Sequence, residues 1–379
     1  MKIAVISMIR EPWGGSEELW FAMAKQAIAE GHTVMHVSFD FADLHPRLAE
    51  LERLGGVLFQ RPGFYPTSMS SKARVARMIM NYVKKKIRPP FKKLLNQRPD
   101  ILIYNGTAYS IAREKELLKA LKYSNVDFFI ISELIGEIDR GFDEAERSII
   151  LSAYHRAKKV FFVSHRMELT ARRQLCSDIP NAVQIKNPVN MSDISPLPFP
   201  RGDKVNWGLV GNLLVVHKGQ DLLLSVLQAS KWKEREWTLN VYGDGSDRAY
   251  LEALTAFYRL EDRVIFHGRV SNIRQVWEQN HVLLMPSHME GMSLAIVEAM
   301  LCGRPVMATD VGGASEWIEN GNSGWLAAAP TISLLDEAME RAWQDKLKWE
   351  GMGLQAHRKA RDLYDPAVGK TLLDKLINL

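Results

Sequence analysis

Apolar residues run almost unbroken through the first nine positions, MKIAVISMI, and stop at Arg10-Glu11-Pro12. The run lacks a cleavage-site pattern, so it reads as a first buried strand rather than a signal peptide. A loop with Gly14-Gly15 follows, then SEELWFAMAKQAIAE, whose apolar spacing predicts a helix. Ser16 suits its N-cap, Glu17 and Glu18 suit the first-turn dipole, and Gly31 is its stop. TVMHVSF is the next strand and completes a βαβ unit. The alternation resumes at ILIYN (101–105), VDFFIIS (126–132) and KVFFVS (159–164), predicting a mostly parallel, doubly wound sheet. After Asn187 the stretch PVNMSDISPLPFPRGDK carries four prolines in 17 residues and no sustained periodicity, which marks a linker. Strands then restart as VNWGLVG, TLNVYG, VIFHG, HVLLMP and PVMAT. They alternate with helices from Gln220 to Ala229, from Ser246 to Tyr258 and from about Ser293.

Two successive sheets of this kind predict an α/β protein of two Rossmann-like domains, residues 1–188 and 189–358, facing a central cleft. In open α/β sheets ligands bind beyond the carboxyl ends of the strands. The length of 379 residues fits two cores, and 46% hydrophobic with 25% charged residues is a globular composition. Cys176 and Cys302 form no disulfide framework and no zinc-ligand spacing. No stretch reaches the roughly 18 apolar residues that a membrane span needs.

The net charge of +5 is mild but uneven: between Lys72 and Arg98 stand ten Lys or Arg and no Asp or Glu. Val75, Met78, Ile79, Tyr82 and Val83 recur there at helical spacing, predicting a basic amphipathic helix ended by Pro89-Pro90. Such a run fits either a solvated helix face or contact with an anionic lipid or acceptor.

The chemistry concentrates in SHMEGMSLAIVEAMLCGRPV, from Ser287 to Val306. Glu290 falls in the loop after a strand, Gly291 permits close backbone approach, and Ser293 suits the cap of the helix that carries Glu298. A helix N-terminus beside a glycine suits a diphosphate. Two carboxylates eight residues apart suit two sets of hydroxyls on one extended ligand, as on the ribose and hexose of a nucleotide-sugar. Lys218 follows strand NWGLVG at the matching position and offers a point charge for phosphate. Gly312-Gly313 follows PVMAT.

Together these features resemble the retaining glycosyltransferases of family 4, with the GT-B fold. The resemblance is carried by Glu290-x7-Glu298, the HKGQD segment around Lys218, the YGDG turn at Tyr242 to Gly245, Gly312 to Glu316, and IKNPVN ending at Asn190. It is strong over residues 187–330 and weak in the first domain. It implies that Glu298 binds the ribose hydroxyls, that Glu290 contacts the donor sugar near its anomeric centre, and that Lys218 stabilises the departing diphosphate. Backbone N–H groups near Met292, Ser293 and Leu294 would assist. His267, Gly268, Arg269 and Val270 resemble the strand end that holds the nucleobase, Gly243 belongs to the same donor set, and Gly14-Gly15 would close over the donor phosphates. Where relatives place an arginine six residues before the lysine, this chain has Asn212. Its charge would then come from His217, Arg10 or another first-domain residue, or donor binding is weaker. The acceptor-side histidine of the family is also missing, and its loops offer Asn105, Thr107, Ser132 and Glu133. The C-terminal segment, 359–379, is expected to cross back onto the first domain.

The resemblance implies a metal-independent hexosyltransferase without cofactor, moving a hexose from a UDP- or GDP-sugar to a hydroxyl acceptor, glycan or lipid-linked, in glycan, polysaccharide or glycolipid assembly. It would act in the cytoplasm, with residues 72–98 available to an anionic membrane surface and no nucleic-acid partner. A GT-B nucleotide-sugar epimerase and a non-catalytic nucleotide-sugar-binding protein are the alternatives.

Overall fold

The structure, a computed structural model, describes residues 1–9, 11–41, 43–62, 70–87, 90–107, 109–139, 141–202 and 204–378. The chain divides into two compact units: unit 1 is Met1–Pro188 with Asp365–Leu379, and unit 2 is Val189–Tyr364.

Unit 1 is built on seven strands: β1 (Lys2–Ser7), β2 (Thr33–Phe39), β3 (Val57–Arg61), β4 (Ile101–Thr107), β5 (Asp127–Leu134), β6 (Lys159–Phe162) and β7 (Ala182–Gln184). They lie in the order β3-β2-β1-β4-β5-β6-β7, every pair parallel. The apolar run at the start becomes a central strand, with Ile3 to Ile6 fully buried, because helices cover both faces of a parallel sheet. Strand order reverses between β1 and β4, which is the topological switch of the unit.

The first helix differs from its sequence expectation at its start. A 3-10 turn, Gly15–Glu17, precedes the helix Glu18–Ala29, and Ser16 makes no capping bond. Glu17, expected in the first turn of the helix, instead ends the 3-10 turn and is buried.

The crossing segment also begins later than 359. Residues 349–363 form one helix, Trp349–Leu363, whose Ala356 and Ala360 are fully buried in unit 2. It ends at Tyr364-Asp365-Pro366, and only Asp365–Leu379 belongs to unit 1, where the helix Val368–Ile377 packs on Glu18–Ala29.

Unit 2 repeats the design with six strands: β8 (Val205–Val210), β9 (Trp237–Tyr242), β10 (Val264–Gly268), β11 (Val282–Met285), β12 (Val306–Thr309) and β13 (Gly324–Ala327). The order is β10-β9-β8-β11-β12-β13, all parallel, with the switch between β8 and β11. Its core holds Trp207, Trp232, Trp237, Trp325 and Trp349 among aliphatic side chains, which accounts for five of the ten tryptophans as packing.

Candidate functional site

The switch of unit 2 is where its charged side chains meet. Lys218 ends the short helix Val215–Lys218 after β8, and Glu290 lies in the loop after β11. Lys218 Nζ donates to Glu290 Oε1 at 2.6 Å, and Ser287 Oγ donates to the same oxygen at 2.7 Å. Thr309, at the end of β12, donates through Oγ1 to the Ser287 carbonyl at 2.5 Å.

Backbone contacts hold these loops in register. The N–H groups of His288 and Met289 donate to the His217 carbonyl at 2.8 and 3.1 Å, and Gly313 N–H donates to the Gly291 carbonyl at 2.8 Å. Gly219 (φ +61°) and Gly312 (φ +56°) sit at the closest approaches. A Cβ would strike the Pro286 carbonyl at the first and the Glu290 carbonyl at the second, in a backbone conformation that other residues rarely adopt. The glycines therefore permit the contact that brings Lys218 and Glu290 together.

Past Glu290, Met292 and Ser293 are buried and Leu294 opens the helix Leu294–Leu301. Ser293 stands at the N-cap position in extended backbone (ψ 117°), but its side chain makes no capping bond. Glu298 lies just over one turn into this otherwise apolar helix and is buried at 8% exposure, as is Glu290. Two acids held that far inside a domain are not ordinary surface residues.

On the other side of β8, Gly243 N–H donates to the Gly268 carbonyl at 2.8 Å, joining the ends of β9 and β10. The His267 ring stacks on Tyr242 (4.5 Å between centroids, 11° between planes), and its Nε2 bonds Asn240 Oδ1 at 2.9 Å. Partial burial lowers the His267 pKa. Arg269 and Val270 are exposed beyond it, and Asn212 is exposed after β8, its carbonyl accepting from Gln220 Nε2 at 2.8 Å. From β10 to β11 there are three strand spacings, roughly 14 Å at about 4.8 Å each. The unit 2 candidates thus follow one carboxyl edge in the order His267–Val270, Gly243, Asn212 with Lys218, then Glu290.

The unit 1 candidates separate into two groups. Asn105 and Glu133 are linked through Glu17, which Asn105 bonds and whose charge acts on Glu133. Asn105 Nδ2 donates to Glu17 Oε1 at 2.9 Å, and Asn187 Nδ2 lies 3.4 Å from Glu133 Oε2. Burial pushes the Glu17 carboxyl up to about 7. It pushes Glu133 well above the usual carboxylate range, with Glu17 adding to the shift. Ser132 and Thr107 do not join them. They line a small cavity with Tyr104, Tyr109 and Ser110, where Ser132 hydrogen-bonds Tyr154. Pleating turns adjacent residues to opposite faces, which is why Ser132 and Glu133 part.

Gly14 is in extended backbone ahead of the 3-10 turn, with exposed Gly15 beside it. Arg10, named above as a source of charge, lies outside the described residues, as do Arg88, Pro89 and the side chains of 82–87 within the basic helix. That helix, Ser71–Ile87, exposes Val75, Met78, Ile79 and Met80 and is anchored by Arg77, 3.8 Å from Asp40.

Comparison with known proteins bears on the family of unit 2 and on the fold. Residues 204–345 match the family of glycosyl transferases group 1. Unit 2 carries a glycosyl transferases group 1 domain. The chain is 33% identical over 171 residues to a human protein of phosphatidylinositol N-acetylglucosaminyltransferase, covering 45% of this chain and 34% of that protein. It is 28% identical over 156 residues to N-acetyl-alpha-D-glucosaminyl L-malate synthase of Bacillus anthracis, covering 41% of this chain and 40% of that protein. The chain thus spans less than half the length of these curated relatives. Over its whole length it resembles HepE of Anabaena, solved with UDP-glucose, at a TM-score of 0.75, 18% identity and 100% of both chains. Sucrose-phosphate synthase of Thermosynechococcus elongatus gives 0.74 at 18% identity over 98% of this chain and 97% of that one. At such identities the likeness concerns the fold, which is GT-B: two parallel-sheet Rossmann-like units.

Unit 2 brings Lys218, Glu290 and Gly312 into contact, and Glu298 is buried in the helix that follows. Sequence reasoning missed Ser287 and Thr309, which orient Glu290, and it misread Glu17. Ser287 stands three residues before Glu290, a spacing that many loop serines share.

Proposed function

We propose that the protein is a retaining hexosyltransferase that takes a UDP- or GDP-sugar as donor and a hydroxyl of a glycan or lipid-linked molecule as acceptor, without a metal ion. The observation that carries this reading is the Lys218–Glu290 pair at the switch of unit 2, with a second buried acid, Glu298, in the helix that follows. Breaking the sugar–phosphate bond leaves positive charge on the sugar and negative charge on the diphosphate. Lys218 would meet the growing negative charge, helped by the N–H groups of Met292, Ser293 and Leu294, and Glu290 would lie beside the developing positive charge on the sugar. Glu298 would accept hydrogen bonds from the ribose hydroxyls. His267 to Val270 and Gly243 would hold the base, with Asn212 toward the phosphates.

Two relatives named for the transfer or synthesis of N-acetylglucosaminyl compounds, and neighbours named as complexes with UDP or UDP-glucose, support a UDP-sugar over a GDP-sugar. Asn105 and Glu133 are proposed for the acceptor side; Thr107 and Ser132, which line a separate small cavity, would act only by packing.

Among the described residues no helix is long and apolar enough to cross a membrane. The exposed apolar residues and the basic sequence of the Ser71–Ile87 helix support peripheral attachment to an anionic membrane, with the chemistry on the cytoplasmic side.

A thermal-shift panel of UDP, GDP, ADP and their sugars tests the donor. Incubation of UDP-glucose and UDP-N-acetylglucosamine, alone and with a glycan or lipid acceptor pool in EDTA, tests the reaction. Conversion of the donor into an epimer without acceptor, or binding without any turnover, would remove the transferase reading.

A further inference from the structure

Gly211, Gly243 and Gly268 stand at or just past the ends of β8, β9 and β10, and they lie side by side. Gly211 N–H donates to the Tyr242 carbonyl at 3.0 Å, and Gly243 N–H donates to the Gly268 carbonyl at 2.8 Å. A Cβ on Gly243 (φ +136°) would strike the Gly211 carbonyl, so the middle of the row admits no side chain. The three form a floor of bare backbone across two strand spacings, about 10 Å at roughly 4.8 Å each.

A cation stands at each end of this floor. At one end, Lys218 Cε lies 3.7 Å from a Cβ placed on Gly211; at the other, Arg248 Nη1 lies 3.6 Å from a Cβ placed on Gly268. Both cations are fixed to the same pair of loops. Asp247 Oδ2 accepts from Val215 N–H at 2.8 Å, at the start of the short helix that ends in Lys218. Leu213 N–H donates to the Asp244 carbonyl and Asp247 N–H to the Leu213 carbonyl, both at 3.1 Å. Arg248 opens the helix Arg248–Phe257, and its Nε donates to Glu252 Oε1 at 2.8 Å. An exposed pair of that spacing is usually a solvated helix contact worth little. Here it occupies Nε alone. Among the described residues neither Nη1 nor Nη2 has a hydrogen-bond partner, and the side chain is 36% exposed.

We propose that Arg248 reads the nucleobase of the donor. Its Nη groups would donate to the ring carbonyl that uracil has where cytosine has an amino group, and that guanine has where adenine has one. This rests on the nucleotide-sugar reading above, which puts the diphosphate at Lys218. The floor is longer than a diphosphate, so a nucleotide held at Lys218 brings its base toward Arg248, over backbone that a flat ring can approach closely. A guanidinium has donors and no acceptor, so an amino group in the carbonyl's place leaves donor facing donor. Sites built to hydrogen-bond one group of a ligand reject the analogue that cannot answer it. Arg248 therefore admits uridine and guanosine diphosphates and turns away those of cytidine and adenosine.

Titration calorimetry on the full chain compares UDP, CDP and inorganic diphosphate, for wild type, Arg248→Ala and Arg248→Lys. Wild type is expected to bind UDP about tenfold more tightly than CDP, the scale of one hydrogen bond from a charged group. Arg248→Ala should erase that preference by weakening UDP alone, and unchanged diphosphate affinity shows that the variant is folded. Arg248→Lys keeps the charge but not the fork, and should retain only part of the preference. Equal losses for UDP, CDP and diphosphate would make Arg248 a phosphate cation and overturn the base reading. No preference in wild type, or one that survives both substitutions, would take Arg248 out of the base site. If wild type binds diphosphate but neither nucleotide, the nucleotide-sugar reading fails and this proposal with it. If the binding results hold while UDP-glucose is neither hydrolysed nor used for transfer, the glycosyl-transfer reading fails and the base site stands.

Discussion

Lys218 Nζ and Glu290 Oε1 are 2.6 Å apart, with side-chain exposures of 23% and 10%. The lysine assigned to the departing diphosphate is therefore already neutralised by the carboxylate assigned to the sugar. An arriving diphosphate competes with Glu290 for Lys218. Glu290→Gln should thus bind UDP several-fold more tightly while turning over donor far more slowly, since the charge beside the anomeric carbon is gone. Titration calorimetry with UDP and steady-state rates measure the two effects. Weaker UDP binding in the variant would mean that the pair is needed intact to shape the site.

Lys218→Ala should reduce turnover more than donor affinity. Charge on the diphosphate grows as the bond breaks, and only interactions that strengthen in the transition state raise the rate. A raised KM with kcat unchanged would make Lys218 a ground-state binder.

Glu298→Gln should weaken nucleotide and nucleotide-sugar alike, by roughly 1.5 to 3 kcal/mol, the range for a hydrogen bond to a charged group. Calorimetry with UDP against UDP-glucose checks it. Wild-type affinity for both would take Glu298 out of the donor site.

Much of unit 2 was legible because its chemistry follows its strands: a loop after each long apolar strand carries one candidate, and the parallel order brings the loops together. The strands that escaped notice have weak patterns. β3 includes Gln60 and Arg61, β7 is three residues long, and β13 is the four-residue GWLA behind a turn. The division of Asn105 and Glu133 from Thr107 and Ser132 depends on pleat and register, including the shift between Gly106 and Thr107, which residue types do not encode. Glu17 was misread for a related reason. An acid at a helix start normally faces water, and Asn105, distant in sequence, joins Trp20 in bonding this one inside the domain.

Stability should depend on pH through that same carboxyl. Glu17 is lifted from 4.5 to about 7 in the folded protein, so between those values the native state binds more protons than the unfolded chain. Unfolding free energy then falls as pH rises across the window, by an amount on the order of 3 kcal/mol for Glu17 alone. Glu133 acts in the same direction. Urea unfolding from about pH 5 to pH 8 should show this decline, flattened in Glu17→Gln and flatter still with Glu133→Gln added. An identical slope in wild type and both variants would show that these carboxyls ionise freely.

The Ser71–Ile87 helix presents Val75, Met78 and Ile79 at 57, 54 and 63% exposure, an apolar stripe left open to solvent on a strongly basic segment. Each Lys or Arg near an anionic surface contributes about 1 kcal/mol, so half of the ten cations from Lys72 to Arg98 suffices to hold the protein on a bilayer at low salt. The apolar side chains add a shallow contact that salt does not screen. Attachment through this helix would keep a lipid-linked acceptor near unit 1, whereas a soluble acceptor needs no such surface. Co-sedimentation with liposomes separates the two. Binding is expected to anionic but not neutral vesicles, to weaken with added salt, and to be lost when Lys84, Lys85, Lys86, Lys92 and Lys93 become Glu. Replacing Val75 and Ile79 by Ser should leave a weaker association that salt abolishes completely. Equal recovery in the supernatant with either vesicle type would rule out the membrane role and point to a soluble acceptor.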